Sequence, residues 1–487
     1  MVIYYGWRKG NFPDLFAAQP PGLPLATMKW YARIPSPLIM LFLIILLVAA
    51  LTWLLPAGLY ERVPVDGRMR VVPGSYAEVT PTPLSLFDVF TAFPEGYKRA
   101  TPIIFICLAS ALMFSLLEAT RTIENAVGSI VRRLGDRHAE ALLVALTLVY
   151  GLLGVMVGYE NNIATIPIAA IVVLALGGDL ILAAGVSVGG MTVAFGLSPI
   201  NFYTVGNGHL IAELPLFSGA WLRTILCAGG LLLMAWYNVR YYRRLRADPE
   251  SGIGRGLDTT GMQLSQPLDT YRVTPRNWWL LTVFLGGLAA VLYGVFTVEG
   301  FHINDTSAVF LMVTVVLALS SGLSGKEVSE AGFRSIAQMA PATFIIGMAT
   351  TVSVIMEQGQ IQDTISHGLA EALGGLPTYA SAVGMSVGQS GLNLLIPSGS
   401  GQAMATLPVM IPLGNELGLS AQISILAFQI GDGVTNLFNP SLGGLVAMLS
   451  LCRVPFDRWL RFALPLTGML LLWAWAGLLL AVAVGYS

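Results

Sequence analysis

The apolar residues of this chain come in long uninterrupted runs rather than at the spacing of an amphipathic helix. A water-soluble helix needs a polar face, whereas a helix that crosses lipid needs about 20 consecutive apolar residues. The pattern therefore predicts an all-α polytopic membrane protein. The runs without Asp, Glu, Lys or Arg include 37–55, 101–117, 141–158, 180–208, 278–298, 306–325, 339–356 and 462–487.

Two apolar regions have a shape that does not suit a simple crossing. The first has arms at 141–158 and 163–176, and the second has arms at 377–396 and 402–414. An arm of 14 residues covers only about 21 Å, which is shorter than a hydrocarbon core of about 30 Å. We therefore predict two re-entrant helical hairpins that enter and leave by the same face. Their predicted bounds are about 139–177 and about 377–414.

The chain repeats internally at an offset of roughly 240 residues. Each half has an apolar span, an amphipathic helix, a hairpin, a glycine-interrupted segment and a closing span. The second hairpin arms open alike, with Ala164-Thr165-Ile166-Pro167 and Ala405-Thr406-Leu407-Pro408. The matching segments are 101–117 and 339–356, 180–213 and 420–451, and 216–239 and 462–484.

The distribution of Lys and Arg predicts the orientation, since positively charged loops stay cytoplasmic. With a cytoplasmic N-terminus, 20 of the 26 Lys and Arg residues fall inside and five lie outside, in 57–100. This assignment leaves the C-terminus outside and gives the two repeats opposite orientations. Inverted repeats with broken helices are typical of secondary transporters.

These patterns divide the chain into six segments. Helical spans are predicted on both sides of a cytoplasmic linker. The segments are an N-terminal cytoplasmic segment 1–36, scaffold helices 37–117, the first repeat 118–240, the linker 241–277, scaffold helices 278–356 and the second repeat 357–487.

Polar residues gather at the hairpin tips and at two breaks rich in glycine and proline, 196–201 and 431–440. A break at mid-depth frees backbone groups, which in lipid must face a cavity, another helix or a bound solute. Freed carbonyls and side-chain oxygens suit Na⁺, so the tips and breaks are candidate Na⁺ sites. The candidate substrate- and ion-binding residues are Glu160, Asn161, Asn162, Thr165, Ser198, Pro199, Asn201, Ser398, Gly399, Ser400, Gly401, Thr406, Asp432, Gly433, Thr435, Asn436 and Asn439.

Three ionisable residues within apolar segments are notable, because such a group is costly in lipid and usually functional. Asp432 is a candidate to bind a cation, relay a proton or pair with a substrate amine. Glu160 either takes part in the site or meets water at a hairpin tip. Arg223 either meets a substrate carboxylate or reaches the outer surface in a snorkelling or ion-paired conformation.

The chemistry that the sequence lacks narrows the function further. The formal net charge of -1 gives no reason to expect a nucleic-acid partner. No P-loop, HExxH pattern or nucleophile with a base is present, so we expect neither an enzyme nor a cofactor. A channel or a receptor without net transport is the alternative of another class. A channel would line a continuous polar pore, whereas here polarity is confined to tips and breaks.

Four stretches resemble the C4-dicarboxylate anaerobic carrier family, in its YfcC-like branch. The resemblance covers about residues 29–484 and is most specific in the last two stretches. The branch more often has acidic residues where this chain has Asn161 and Asn162, which leaves the coupling ion open. The four stretches are Leu54-Leu55-Pro56-Ala57-Gly58, Leu214-Pro215-Leu216-Phe217-Ser218-Gly219, Ile396-Pro397-Ser398-Gly399-Ser400-Gly401 and Phe428-Gln429-Ile430-Gly431-Asp432-Gly433-Val434-Thr435-Asn436.

The resemblance implies membership of the ion-transporter superfamily, whose members are typically homodimers with a scaffold and a mobile elevator domain. On that pattern 138–240 and 376–484 move, and 37–117 and 278–356 form the scaffold and the dimer contact. The resemblance also implies a bacterial inner membrane and a small organic substrate, either a C4-dicarboxylate or an amino acid, coupled to Na⁺ or H⁺ or exchanged. A basic amino-acid antiporter is the narrower alternative.

The charges favour one of these substrates. Two acids and at most one base favour a zwitterionic or cationic amino acid, unless Na⁺ ions supply the positive charge that a dicarboxylate needs.

Overall fold

The computed structural model describes residues 37–65, 68–72, 74–134, 138–157, 160–262, 270–298, 301 and 303–487. The predicted cytoplasmic segment 1–36 lies outside these residues.

The first half of the described chain consists mainly of helices. They are α1 (Pro37–Leu54), α2 (Leu86–Ala119), α3 (Thr122–Leu134), α4 (Ala139–Val157), α5 (Ile166–Ala175), α6 (Leu180–Ala184), α7 (Gly190–Leu197), α8 (Asn207–Ile211) and α9 (Ala220–Ala247). A 3₁₀ turn (Glu160–Thr165) links α4 to α5, and a π turn (Gly185–Gly189) joins α6 to α7 as one continuous rod. A second π turn (Phe202–Gly206) precedes α8.

Nine further helices lie in the second half of the described chain. They are α10 (Pro275–Thr297), α11 (Ile303–Ser320), α12 (Gly325–Gln358), α13 (Gln362–Leu373), α14 (Thr378–Leu395), α15 (Gly399–Glu416), α16 (Ala421–Thr435), α17 (Gly443–Leu451) and α18 (Phe456–Ala483). Ser324 caps the N-terminus of α12 in a capping box with Glu327, as Ser85 does for α2 with Asp88.

Six helices of the described chain are long and apolar enough to cross a membrane, which confirms the prediction of a helical multi-pass membrane protein. The rod formed by α6 and α7 is completely buried, whereas much of α11 is exposed. A fully apolar and fully buried helix belongs to the protein interior, and exposed apolar helices suit contact with lipid. The six helices are Leu86–Ala119, Leu180–Leu197, Ala220–Ala247, Ile303–Ser320, Gly325–Gln358 and Phe456–Ala483.

The connection between α1 and α2 contains four short strands that the sequence pattern did not predict. β1 (Gly58–Leu59) pairs antiparallel with β4 (Ala77–Glu78), and β2 (Arg62–Val65) pairs antiparallel with β3 (Arg68–Val71). β-branched valines favour extended backbone here, but two to four residues are too few to produce a periodic signal. The strands bring the connection against α13.

Candidate functional site

Hairpin α14–α15, helix α16 and the segment that follows α7 meet in the interior of the protein. Gly433 and Gly196 allow α16 and α7 to cross at backbone contact, because a Cβ on Gly433 would lie 2.2 Å from the Gly196 Cα. Gly431 does the same towards α14, where an added Cβ would lie 2.4 Å from the Ser386 carbonyl oxygen. The glycines beside Asp432 therefore serve close packing, and α16 stays helical to Thr435. The second break begins only after Thr435.

Asp432 lies at the centre of this meeting point. Its side chain is 1% exposed, and neither carboxylate oxygen has a hydrogen-bond partner in the part of the chain that the structure describes. A Cβ built on Gly399, at the tip of hairpin α14–α15, would lie 3.2 Å from Asp432 Oδ2 and 2.9 Å from the Thr204 methyl carbon. The Thr204 hydroxyl is buried and also lacks a partner among the described residues. Gly399 thus lies between the Asp432 carboxylate and the Thr204 methyl group, which come from the two halves of the chain.

Asn393, near the end of α14, fixes the second break against the hairpin. Its Nδ2 lies 2.8 Å from the carbonyl oxygen of Asp432, from Thr435 Oγ1 and from Asn436 Oδ1, so its two N–H donors are shared among three acceptors. Asn439 in turn donates to the Asn393 carbonyl at 2.7 Å. The Asn393 Oδ1 atom remains without a partner in the described chain. Three of the predicted residues are thereby held by a side chain that the prediction omitted.

A second polar cluster lies between the two arms of this hairpin. Gln402 Nε2 donates to Gln389 Oε1 at 2.7 Å, and the Thr406 hydroxyl donates to the same oxygen at 3.2 Å. All three side chains are fully buried. Gln389 Nε2 and Gln402 Oε1 find no partner within the described ranges. The hairpin therefore has a polar interior, although its sequence is largely apolar.

The first break is organised by its own polar residues. Asn201 donates to the Phe195 carbonyl at 3.0 Å and accepts from the Thr204 backbone amide at 3.3 Å. Ser198 donates to the Val155 carbonyl of α4 at 3.3 Å. Pro199 occupies the turn after α7 and is partly exposed. The break thus joins hairpin α4–α5 to the residues around Asp432.

Hairpin α4–α5 has a tip that is closed by local bonds. Asn162 donates to the Leu153 carbonyl at 3.2 Å, and Thr165 donates to the Asn162 carbonyl at 2.8 Å. The side chains of Glu160 and Asn161 lie outside the description, so their predicted role stays a prediction. The bonds described for Thr165 lie within this hairpin, whereas Gln429 of α16 donates to the Ser198 carbonyl.

The remaining predicted residues lie at the other tip. Ser398 caps α15 by accepting from the Gly401 amide at 3.2 Å. Gly401 also lines a cavity of about 400 Å³ that includes Arg62 and Asp363. Ser400 lies between Gly399 and Gly401 in the sequence and is partly exposed. Hence the tip has Gly399 towards Asp432 and Gly401 towards this cavity.

Four side chains of the site were missed by sequence reasoning, namely Thr204, Gln389, Asn393 and Gln402. A signal existed for Gln389 and Asn393, because Ser386, Gln389 and Asn393 recur at helical spacing within an apolar arm. Thr204 gave no signal, since it lies after the break in a π turn.

The arrangement suits a cation rather than an anion. Of the buried polar atoms left without a partner near Asp432 and hairpin α14–α15 in the described structure, four are acceptors only, namely the two carboxylate oxygens, Asn393 Oδ1 and Gln402 Oε1. The Thr204 hydroxyl can donate or accept, and Gln389 Nε2 is a donor. No group of three His, Cys, Asp or Glu residues that could hold a transition metal occurs in the described ranges. Neutral oxygens with one carboxylate are ligands for Na⁺ or an ammonium group.

Comparison with known proteins gives the family. The profile described as C4-dicarboxylate anaerobic carrier matches residues 34–483. A relative from Escherichia coli K12, named "Putative basic amino acid antiporter YfcC", is 26% identical over 501 residues, which is 94% of this chain and 98% of that protein. An uncharacterised protein from Haemophilus influenzae is 25% identical over 486 residues, 90% of this chain and 95% of its own.

Two solved structures are similar at low identity. The YdaH transporter of Alcanivorax borkumensis is 17% identical, with 93% of this chain and 99% of that chain covered and a TM-score of 0.44. MtrF of Neisseria gonorrhoeae is 17% identical, with 92% and 95% covered and a TM-score of 0.45. The family assignment rests on the profile, which confirms the resemblance seen in the sequence. The chain belongs to the C4-dicarboxylate anaerobic carrier family of membrane transporters and is not an enzyme.

Proposed function

We propose that this protein is a secondary active transporter of amino acids, and that the ammonium group of the solute or a coupling cation binds at Asp432. The observation that carries the proposal is the buried carboxylate of Asp432, neither oxygen of which has a partner in the described chain. Leaving such a group unpaired costs several kcal/mol. A bound cation removes that cost, so binding of a cation at this site is favourable.

The neighbouring groups support a cation of this size. Gly399 lies against the carboxylate, and the Thr204 methyl carbon lies against Gly399 from another element. An ammonium group has three donors, and the carboxylate, Asn393 Oδ1 and the Thr204 hydroxyl offer acceptors to match. The name of the Escherichia coli relative points in the same direction, to basic amino acids.

A C4-dicarboxylate is the second candidate, because the family description names that class. A dianion would be repelled by Asp432 unless cations accompanied it. Na⁺ at the tips and breaks would supply that charge, and the N-terminus of α15 offers amide donors to a carboxylate. This candidate therefore requires Na⁺ coupling, whereas the amino-acid candidate is compatible with H⁺ coupling or exchange.

For the transport step we propose two inverted repeats that form an elevator. Paired elements have equal lengths: α2 and α12 have 34 residues each, and α9 and α18 have 28 each. Each half also contains a helical hairpin and a broken helix. In this proposal 138–240 and 376–484 carry the solute, while 37–117 and 278–356 remain fixed and form a homodimer. The protein resides in a bacterial inner membrane, with its N-terminus cytoplasmic and its C-terminus outside.

The test is uptake into proteoliposomes that contain the purified protein. Labelled arginine, lysine, neutral amino acids and succinate are supplied with and without Na⁺, with a pH gradient, and with unlabelled solute preloaded. We expect saturable amino-acid uptake that a gradient or preloading accelerates. Na⁺-dependent succinate uptake without amino-acid uptake would select the second candidate. If no solute shows saturable uptake, the transporter proposal fails.

A further inference from the structure

Arg223 of α9 is fully buried, and no acid lies within ion-pair distance of it in the described chain. Neutral groups hold its guanidinium instead. Nε donates to Gln429 Oε1 at 3.1 Å, and Nη1 donates to Gln422 Oε1 and to the Tyr486 hydroxyl, both at 2.8 Å. Longer contacts of 3.4 Å reach the carbonyls of Ser218 and Gln422.

These contacts leave little for a solute to bind. A guanidinium has five N–H donors, and protein acceptors surround Nε and both terminal nitrogens of Arg223. Snorkelling also does not fit, because the side chain is 0% exposed and its guanidinium lies 5.7 Å from the ring centre of Tyr486. The geometry favours neither of the two roles expected from the sequence.

Gln429 links the guanidinium of Arg223 to the first break. Gln429 uses both ends of its amide: Oε1 accepts from Arg223, and Nε2 donates to the Ser198 carbonyl at 2.7 Å. Gln429 lies one helical turn before Asp432 on α16, a rise of about 4.5 Å. Because Arg223 fixes which way the amide points, it determines that a donor faces Ser198.

The C-terminal end of the chain completes this arrangement. The Tyr486 hydroxyl accepts from Arg223 and donates to the Gly219 carbonyl, and the Tyr486 carbonyl accepts from the Ser420 hydroxyl. Gly219 and Ser420 are the N-cap residues of α9 and α16. Tyr486 therefore ties the starts of these two helices to the same guanidinium.

We infer that Arg223 is a positioning residue: through Gln429 it holds the first break against the Asp432 face of α16, and Tyr486 completes its coordination. The inference rests on the proposed function in taking the surroundings of Asp432 as the transport site. It assigns Arg223 no contact with the solute. Neutral hydrogen-bonding groups stabilise its positive charge in the interior. The same groups connect α9, α16 and the first break.

The first test does not depend on transport. The variant Ser198→Cys introduces a thiol at the first break and keeps the backbone carbonyl that accepts from Gln429. The three native cysteines are buried. We expect a small methanethiosulfonate reagent to label it about tenfold faster in Arg223→Gln, which corresponds to loss of one charge-assisted hydrogen bond. Tyr486→Phe, which removes one acceptor and keeps the ring, should give a smaller increase. Arg240→Gln is the matched control, since Arg240 lies on the same helix over the Trp236 ring.

The second test measures transport by the same variants. We expect Arg223→Gln to raise KM about tenfold with little change in kcat, and Arg223→Lys to restore part of the loss. Unchanged labelling and unchanged KM in Arg223→Gln and Tyr486→Phe would overturn the inference, even if the melting temperature fell. If the wild type transports nothing, the proposed function fails, while the labelling rates still decide whether Arg223 positions the break.

Discussion

Gly433 of α16 and Gly196 of α7 face each other with their backbones in contact. A Cβ built on Gly433 would lie 2.2 Å from the Cα of Gly196, and one built on Gly196 would lie 2.6 Å from the Gly433 carbonyl. No side chain fits at such distances, so glycine is required on both helices. Asp432 and Ser198 are each within two residues of this crossing, and the crossing therefore sets the distance between the two breaks.

Gly433→Ala should force the two helices apart. We expect a loss of stability of about 1–3 kcal/mol from overpacking together with a large loss of transport. Thermal unfolding in detergent and uptake in proteoliposomes measure the two effects. Gly391→Ala on α14 is the control, because a Cβ there meets nothing within 4 Å, and alanine favours a helix. Equal behaviour of the two variants would contradict the role given to the crossing.

Asp432→Asn should abolish transport and leave the fold intact. The carboxylate has no hydrogen-bond partner among the described residues, so the substitution removes a charge without breaking a bond. Removing an unpaired buried charge is neutral or stabilising. We expect uptake to fall at least about a hundredfold, or about 2.7 kcal/mol, at an unchanged or higher melting temperature. Wild-type uptake kinetics in this variant would remove Asp432 from the site.

The sequence predicted much of the fold, because lipid imposes a simple rule: charge-free runs of sufficient length become helices. It also singled out Asp432 and Gly399, which the structure places together. An acid in an apolar segment and a Gly-Ser tip are conspicuous by composition alone. Both signals are local. An irregular backbone segment and a charged side chain are each costly in lipid, so each usually has a structural or functional role.

Sequence reasoning did not recover the partners of these residues. The turn that Asn201 stabilises brings the Thr204 methyl carbon beside Gly399, and Gln429 links Arg223 to Ser198. Such relationships depend on how two helices cross, which no local pattern records. The glycines around Asp432 illustrate the same limit, because their composition predicted a break where the structure has a close crossing.

Arg62→Ala should destabilise the contact between the strands and α13. Asp363 is 1% exposed and accepts from Arg62 Nη2 at 2.8 Å and from the Tyr60 amide at 3.0 Å. Removing Arg62 leaves the buried carboxylate with one partner fewer. Because Arg62 is itself 33% exposed, we expect the free energy of unfolding to fall by about 1–3 kcal/mol, which is below the range for a fully buried pair. Lys98→Ala, in an exposed pair with Glu95, should leave the melting temperature unchanged.

Tyr60 should make the same contact sensitive to alkali. Burial, followed by the charge of Asp363, raises the pKa of Tyr60 from 10.0 to about 12. A group whose pKa is higher in the folded state stabilises that state fully below its unfolded pKa, and the contribution is lost as the pH rises through the folded pKa. Stability should therefore fall between about pH 10 and 12. The melting temperatures of the wild type and of Tyr60→Phe, compared across this pH range, measure the loss of stability. If the two curves of melting temperature against pH run parallel, Tyr60 is not the cause.

Asn393→Ala should damage both the fold and the site, because this side chain bonds the second break to hairpin α14–α15. Its Nδ2 contacts three acceptors at 2.8 Å, including the Asp432 carbonyl. Losing these bonds in a buried place should cost about 2–4 kcal/mol and raise KM, since Asp432 loses its fixed position. Ser390→Ala is the matched control on the same helix, because in the described structure the Ser390 hydroxyl bonds only to the Ser386 carbonyl of α14. If both variants had the same melting temperature and the same KM, the break would be held by packing alone.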